Sequence, residues 1–284
     1  MFQQAMDNIN YGHYTSISGL MGIVKNETIF ATNIRFLNDE HEFHHALDLI
    51  KNLIPQSKIT SDHPNHSLHK EYVNQITQQL KSLDNYQSDG VFTFSFSEEI
   101  DLLSQWRGYC PANNGYCIVF DAEKIHKTIK ENFDDCHLVK CVYDNDQKEA
   151  QLKKLLNDYW TKYIETNEKK EKKMVVEHLT KEILLLASYF KHPSFAEEKE
   201  HRLVILLEYA PDNDIKFREG RFSLIPYIEL PAPRSAIKKL CIGPTAQKLL
   251  AKRALEAFLE KSYGIPVFVG DVEIEFSKTP YRSW

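Results

Sequence analysis

"SFAEEKEHRLVILLEY", residues 194–209, joins a long charged helical region to the strand-rich last third of the chain. Its apolar run from Leu203 is the most strand-like segment in the sequence. A strand starting near Glu198 puts Glu198, Glu200, Arg202 and Val204 on one face and His201, Leu203, Ile205 and Leu207 on the other. Two carboxylates and a guanidinium then share a face. Charges solvated at a strand end would account for this as well as a functional cluster would, so the rest of the chain has to supply the partners that decide.

Upstream, residues 146–192 read as a helical insertion, and its middle, "ETNEKKEKK" (165–173), is either a solvated face or a hinge between two helices. Near the start, "YGHYTS" (11–16) reads as a short strand. Thr15 or Ser16 then caps a helix carrying Ile17, Leu20, Ile23 and Val24 at helical spacing. "TIFATNI" (28–34) returns as strand, and Asn38 or Asp39 caps the helix "EHEFHHALDLIKNLI" (40–54), which stops at Pro55. Another helix runs to about residue 84. "GVFTFSFS" (90–97) alternates and is aromatic-rich, so it is read as a strand with "NNGYCIVFD" (113–121) as its hairpin or near-hairpin partner. Downstream follow extended "FSLIPYIEL" (222–230), strand "AIKKLCIG" (236–243), a helix over 245–261 and extended "IPVFVGDVEIEFS" (265–277). The expectation is an α+β fold with a mixed, mainly antiparallel sheet, in one elaborated domain over 1–284.

Composition narrows the function classes. The 284 residues are 42% hydrophobic and 26% charged, which is globular rather than disordered or fibrous. The opening residues lack a signal-peptide pattern and no apolar run approaches membrane length, so a cytoplasmic protein with no membrane partner is expected. Five cysteines with no C-x-x-C suggest neither a disulfide framework nor a tetrathiolate zinc site. A net charge of −5 argues against broad attraction to nucleic acid, so a nucleic-acid partner would have to be held by a site. Among the twelve histidines, His41, His44 and His45 share a helix, and His63, His66 and His69 recur every third residue. The second set sits largely in a loop containing Pro64, and no metal site is assigned.

Two further segments offer candidates. "RFLNDEHEF" places Asn38, Asp39 and Glu42 at a helix start, where they would cap free N–H groups or lie over a pocket mouth. "FSFSEEIDLLSQWRGY" puts Ser95 and Ser97 on one strand face, where small hydroxyls let a ligand approach the backbone, with Trp106 and Tyr109 just beyond. A core strand with hydroxyls at its edge would look the same.

Six blocks in order, "YGHYTS" (11–16), "NDEHE" (38–42), "FSFSEEIDLLSQW" (94–106), "EKEHR" (198–202), "IGP" (242–244) and "SKTPYR" (277–282), resemble a widespread bacterial domain of unknown function. That resemblance implies no activity. A second one does: "GHYTSISGLMGIVKNETIFAT" (12–32) resembles the opening of the NAD-dependent ADP-ribosyltransferases, especially the bacterial toxin branch that modifies nucleic acid. It implies an ADP-ribosyltransferase-like core with NAD as substrate. His13 would be the first-strand residue holding NAD, with Tyr14 and Thr15 beside it. Ser95 or Ser97 would line the nicotinamide pocket together with Trp106, Asn38 and Asp39, and Glu198 or Glu200 would be the catalytic glutamate. The chain departs from the pattern in having two candidate glutamates beside Arg202 and a long insertion before them.

Cleavage of the nicotinamide–ribose bond passes through an oxocarbenium-like state, which a fixed, ionised carboxylate stabilises. Arg202 would keep that carboxylate ionised or meet a phosphate. The acceptor, protein or nucleic acid, is left open. Two alternatives stand beside this one: a metal-dependent nuclease using Glu198, Glu200 and Asp101, and a non-catalytic module of a bacterial defence or toxin system held by a partner protein.

Overall fold

The computed structural model describes residues 10–37, 40–54, 65–85, 90–110, 115–207, 215–220, 223–264 and 272–280. Strand β1 (Asn10–Ser16) leads into helix α1 (Ile17–Asn26) and strand β2 (Thr28–Asn33). Ser16 caps α1 as its residue type predicts, its hydroxyl accepting from the Gly19 amide at 3.1 Å. Helices α2 (Glu40–Leu53) and α3 (His66–Asn85) precede β3 (Val91–Ser97), and the short α4 (Leu103–Tyr109) precedes β4 (Gly115–Asp121). Next come α5 (Ala122–Lys130), β5 (Cys136–Lys140), α6 (Asn145–Glu165) and α7 (Lys169–Tyr189). A 3-10 turn, Pro193–Glu198, then delivers the chain into β6 (Glu200–Leu206). The rest is β7 (Lys216–Glu219), β8 (Leu224–Pro231), β9 (Ile237–Ile242), α8 (Lys248–Tyr263) and β10 (Glu273–Phe276).

The strands form one ten-stranded sheet in the order β10-β9-β4-β1-β3-β2-β8-β7, with β6 also paired to β3 and β5 to β6. Every pairing is antiparallel except β9 with β10. The fold is therefore α+β with a mixed, mainly antiparallel sheet. Two sequence expectations change. First, β4 is not the hairpin partner of β3: it pairs along the whole of β1, from Asn10↔Asp121 to Ser16↔Gly115, and with β9 on its other side. The connection from β3 contains α4 and is far longer than a hairpin loop, so it carries the chain past β1. Second, β6 begins at Glu200 rather than Glu198, because Lys199 takes the left-handed conformation (φ 42°) and turns the chain between the 3-10 turn and the strand. The sequence reading also left β5, β7 and α5 unassigned.

Each face of the sheet carries a core. Phe92, Phe94, Phe96, Leu203 and Ile205 pack with Leu20 and Ile23 of α1, Ile125 of α5 and Leu255 of α8. Val91, Val204 and Leu206 face the other way, onto Phe43 of α2, Tyr72 of α3, Leu152 of α6 and Leu179 of α7. All seven residues of β6 are buried; its second half, Leu203–Leu206, is accordingly apolar throughout, while Glu200, His201 and Arg202 are buried with polar partners. The charged stretch 165–173 contains the break between α6 and α7, at residues 166–168, and the exposed first turn of α7, while the two helices bury Leu156, Tyr163, Val176 and Ile183. All five cysteines are free and buried. Among the described residues, no helix is long and apolar enough to cross a membrane.

Candidate functional site

Strand β3 positions the site because its two edges are used differently. One edge pairs with β6 throughout, from Val91↔Leu206 to Ser97↔Glu200. The other is shared: β1 meets it only at Gly12↔Ser97, and β2 only at Thr32↔Thr93 and Asn33↔Phe92. Between those points β1 and β2 diverge, with α1 as the connection from one to the other. A cavity of about 440 Å³ opens in the split, lined from β1 and α1 on one side and from β2, β3 and β6 on the other. A smaller space of about 50 Å³ adjoins it around Gly12, Ser97 and Glu198. The larger cavity falls in the range of small-molecule sites.

His13 spans the split. Its Nδ1 lies 3.0 Å from the Ser95 carbonyl, which only accepts, so Nδ1 carries the proton and Nε2 remains an acceptor. Burial lowers its pKa to about 4, the bond to Ser95 opposes this and the charge of Arg218 adds to it, so the ring is neutral at pH 7. The imidazole packs on Phe94, centroid to centroid 4.3 Å.

Across the cleft lies a buried ion cluster. Glu200 is 5% exposed. Its Oε1 accepts from Arg202 Nε at 2.7 Å, and its Oε2 from Lys191 Nζ at 2.7 Å and Arg202 Nη2 at 3.1 Å. Lys191 also donates to Glu198 Oε2 at 2.5 Å, and Arg202 Nη1 to the Ser188 carbonyl at 2.7 Å. Burial alone would raise the Glu200 pKa, but Arg202 and Lys191 hold it at about 2. The expected shared face of Glu200 and Arg202 is present, since Ser95↔Arg202 and Ser97↔Glu200 are register partners. Glu198 reaches the cluster from outside the strand. His201, on the opposite face, stacks on Tyr11 at 4.0 Å and bonds Glu98 through Nε2 at 2.8 Å.

The other candidates separate into lining and scaffold. Ser95, Tyr14 and Thr15 line the cleft. The Tyr14 hydroxyl is turned away, donating to the Glu99 carbonyl (2.7 Å) and accepting from the Leu102 amide (2.8 Å). Ser97 lines the smaller space and ties the Glu198 carbonyl (2.7 Å) and Glu99 amide (3.0 Å) into the turn before β6. Trp106 is 1% exposed but does not line the cleft: it sits behind, edge-on to Tyr14 at 4.7 Å and beside Cys117 and Cys241. Tyr109, one turn on, is the α4 aromatic that reaches the cleft. Asn38 and Asp39 lie outside the described residues; Phe36 and Leu37, just before them, line the cavity.

Asp101 is engaged elsewhere. Its Oδ1 accepts from Trp106 Nε1 (2.7 Å), Ser277 Oγ (2.5 Å) and Thr279 Oγ1 (3.0 Å), and its Oδ2 from the Lys278 amide (2.7 Å). These donors hold its pKa below the ordinary value against burial. It clasps the segment after β10 onto α4 and is not grouped with Glu198 and Glu200. No three His, Cys, Asp or Glu side chains among the described residues converge as a metal site.

Among the cavity residues that escaped the sequence reading are Lys191, Thr93 and Arg218. For Lys191 there was a signal, since two carboxylates and one guanidinium on a buried face lack a second cation. For Arg218 there was none, because β7 was not foreseen.

Residues 105–203 match a family described as a protein of unknown function (DUF2971). The matched span runs from α4 to the first half of β6 and takes in Trp106, Lys191, Glu198, Glu200 and Arg202. No curated protein and no solved structure matches the chain. The likeness to ADP-ribosyltransferases thus rests on the residue pattern alone.

Proposed function

We propose that the cleft binds NAD and that the protein is an ADP-ribosyltransferase-like enzyme, breaking the bond between nicotinamide and ribose and passing the ADP-ribosyl group to water or a macromolecular acceptor. The observation that carries this is Glu200, an ionised carboxylate fixed by two buried cations on one wall of a nucleotide-sized cavity, with a neutral His13 on the other wall. As the glycosidic bond lengthens, nicotinamide leaves with the bonding electron pair and positive charge grows on the ribose. A carboxylate already ionised and oriented stabilises that charge without reorganising. Glu200 Oε1 has one protein donor, which leaves it an acceptor site for a ribose hydroxyl. His13 Nε2 offers a second acceptor, and Tyr109 an aromatic face for a ring. The acceptor nucleophile attacks the anomeric carbon, forming the new bond there, and releases its proton to solvent.

Incubation of the purified chain with NAD, alone and with cell extract, tests this by nicotinamide release and by transfer of label. Glu200→Asp, which keeps the charge but withdraws it by one methylene, and Glu198→Gln, which leaves Glu200 in place, serve as variants. Turnover by the natural chain and by Glu198→Gln, with loss of about a hundredfold or more in Glu200→Asp, is expected. NAD left intact by the folded natural chain, together with a stably bound partner protein, would favour a non-catalytic module instead.

A further inference from the structure

We infer that Arg218 of β7 and Thr93 of β3 form a phosphate-binding subsite at the end of the cleft away from Glu200, taking a phosphate of a nucleotide ligand. For the identity of the ligand this rests on the NAD reading above; the subsite itself stands on two separate observations. Thr93 is 2% exposed and lines the cavity, and its Oγ1 is fully buried with no hydrogen-bond partner among the described residues. A buried hydroxyl is almost always satisfied, so one left open in the wall of a cavity marks where a ligand atom belongs. Arg218 belongs to an edge strand, yet its side chain reaches back over the sheet and donates Nη2–H to Thr32 Oγ1 at 2.9 Å. Thr32 is the register partner of Thr93, so both hydroxyls stand on the same face, beside the guanidinium. Tyr227, partner of Thr32 on β8, supports it from below, ring centroid to guanidinium carbon 6.0 Å.

The charge balance singles out Arg218. Lys191 and Arg202 are offset by Glu198 and Glu200. Arg218 lines the same cavity and has no carboxylate within ion-pair distance among the described residues. A guanidinium carries five N–H donors in a planar fork, which suits two oxygens of a phosphate, and only one of the five is engaged with Thr32. Thr93 would add a hydroxyl donor from the neighbouring strand. A ligand bridging the subsite and Glu200 would lie along β3, with its phosphate at Thr93 and its reacting sugar near Ser95.

Calorimetric titration of the full chain with ADP, inorganic pyrophosphate and adenosine, in the natural protein, Arg218→Ala and the near-isosteric Thr93→Val, tests the subsite, with thermal scans as the folding control. The natural protein should bind ADP and pyrophosphate. Arg218→Ala should weaken both by about tenfold or more and Thr93→Val by several-fold, with adenosine unchanged in all three. No binding of either phosphate compound by the folded natural protein, binding of ADP no tighter than adenosine, or equal ADP affinity in Arg218→Ala would overturn it. Arg218-dependent binding of ADP in a protein that leaves NAD intact would end the proposed reaction and leave the subsite standing.

Discussion

In the proposed reaction Glu200 would serve stability and chemistry at once. Its carboxylate lies between Arg202 and Lys191, both nearly inaccessible to water, so neutralising it leaves a buried guanidinium without its counter-charge. Glu200→Gln should therefore cost about 3–5 kcal/mol, roughly a 5–8 °C fall in melting temperature for a chain of this size by the usual unfolding-entropy scaling; calorimetric scans would measure it. A shift under about 2 °C would mean that the ion pair is not what holds these residues. The amide replacement is for this reason a poor probe of catalysis here, and Glu200→Asp is the better one. His13 gives the pH dependence. Its folded-state pKa is depressed to about 4 from an ordinary 6.5, so its contribution is complete above 6.5 and is lost as pH falls towards 4, where the unfolded chain binds a proton that the folded chain refuses. Glu200, depressed to about 2 from 4.5, adds a second loss below 4.5. Denaturant titrations from pH 7 to 4 should show declining stability, with a shallower slope in His13→Gln.

At the scale of elements, the cleft exists because β1 leaves β3 after a single register pair and α1 carries the chain across to β2. Gly22, in the middle of α1, lines the cavity, and a side chain added there would meet open space. Gly22→Leu should thus raise helix stability by up to about 1 kcal/mol while filling the cleft, so a protein that melts higher and no longer binds ADP is expected in paired thermal and binding assays. The clasp at Asp101 is the second element-scale device. Asp101→Ala removes a carboxylate that accepts from three side chains and one amide, with a loss of about 2 kcal/mol or more and faster hydrogen exchange across Glu273–Phe276 as the signature. The elements were largely legible: Ser16 as cap, the alternation in 90–97 and the helix break at 166–168 within the charged stretch each have a local physical cause. Strand pairing was not, because β4 is assigned to β1 by the helical connection rather than by its own residues. Glu198 was misplaced onto β6 for an equally local reason, the left-handed Lys199, which is not a residue type that announces a turn.

For the whole molecule, the sheet divides two cores, and the helices of the 146–192 region form much of one of them against the face that carries Glu200 and Arg202 further along. Of the "EKEHR" charges, Glu200, His201 and Arg202 are buried while Lys199 stays exposed, and Lys191, just after α7, closes the cluster around Glu200. Of the candidate site, the face shared by Glu200 and Arg202 and the face shared by Ser95 and Ser97 were each visible from period-two alternation; that the two meet depends on the pairing of β3 with β6. Trp106 was not separable from Tyr109, since both are aromatics on the same short helix and only the packing of Tyr14 decides which turns inward. Thr93 and Arg218 depend on contacts across four strands, which no local pattern encodes. The proposed function requires that the split between β1 and β2 along β3 be a nucleotide site. Hydrogen exchange of the natural chain with and without saturating NAD measures this directly. The account predicts slowed exchange in residues 13–22 and 91–97, absent in Gly22→Leu; unchanged exchange in both segments, or protection confined to α6 and α7, would contradict it.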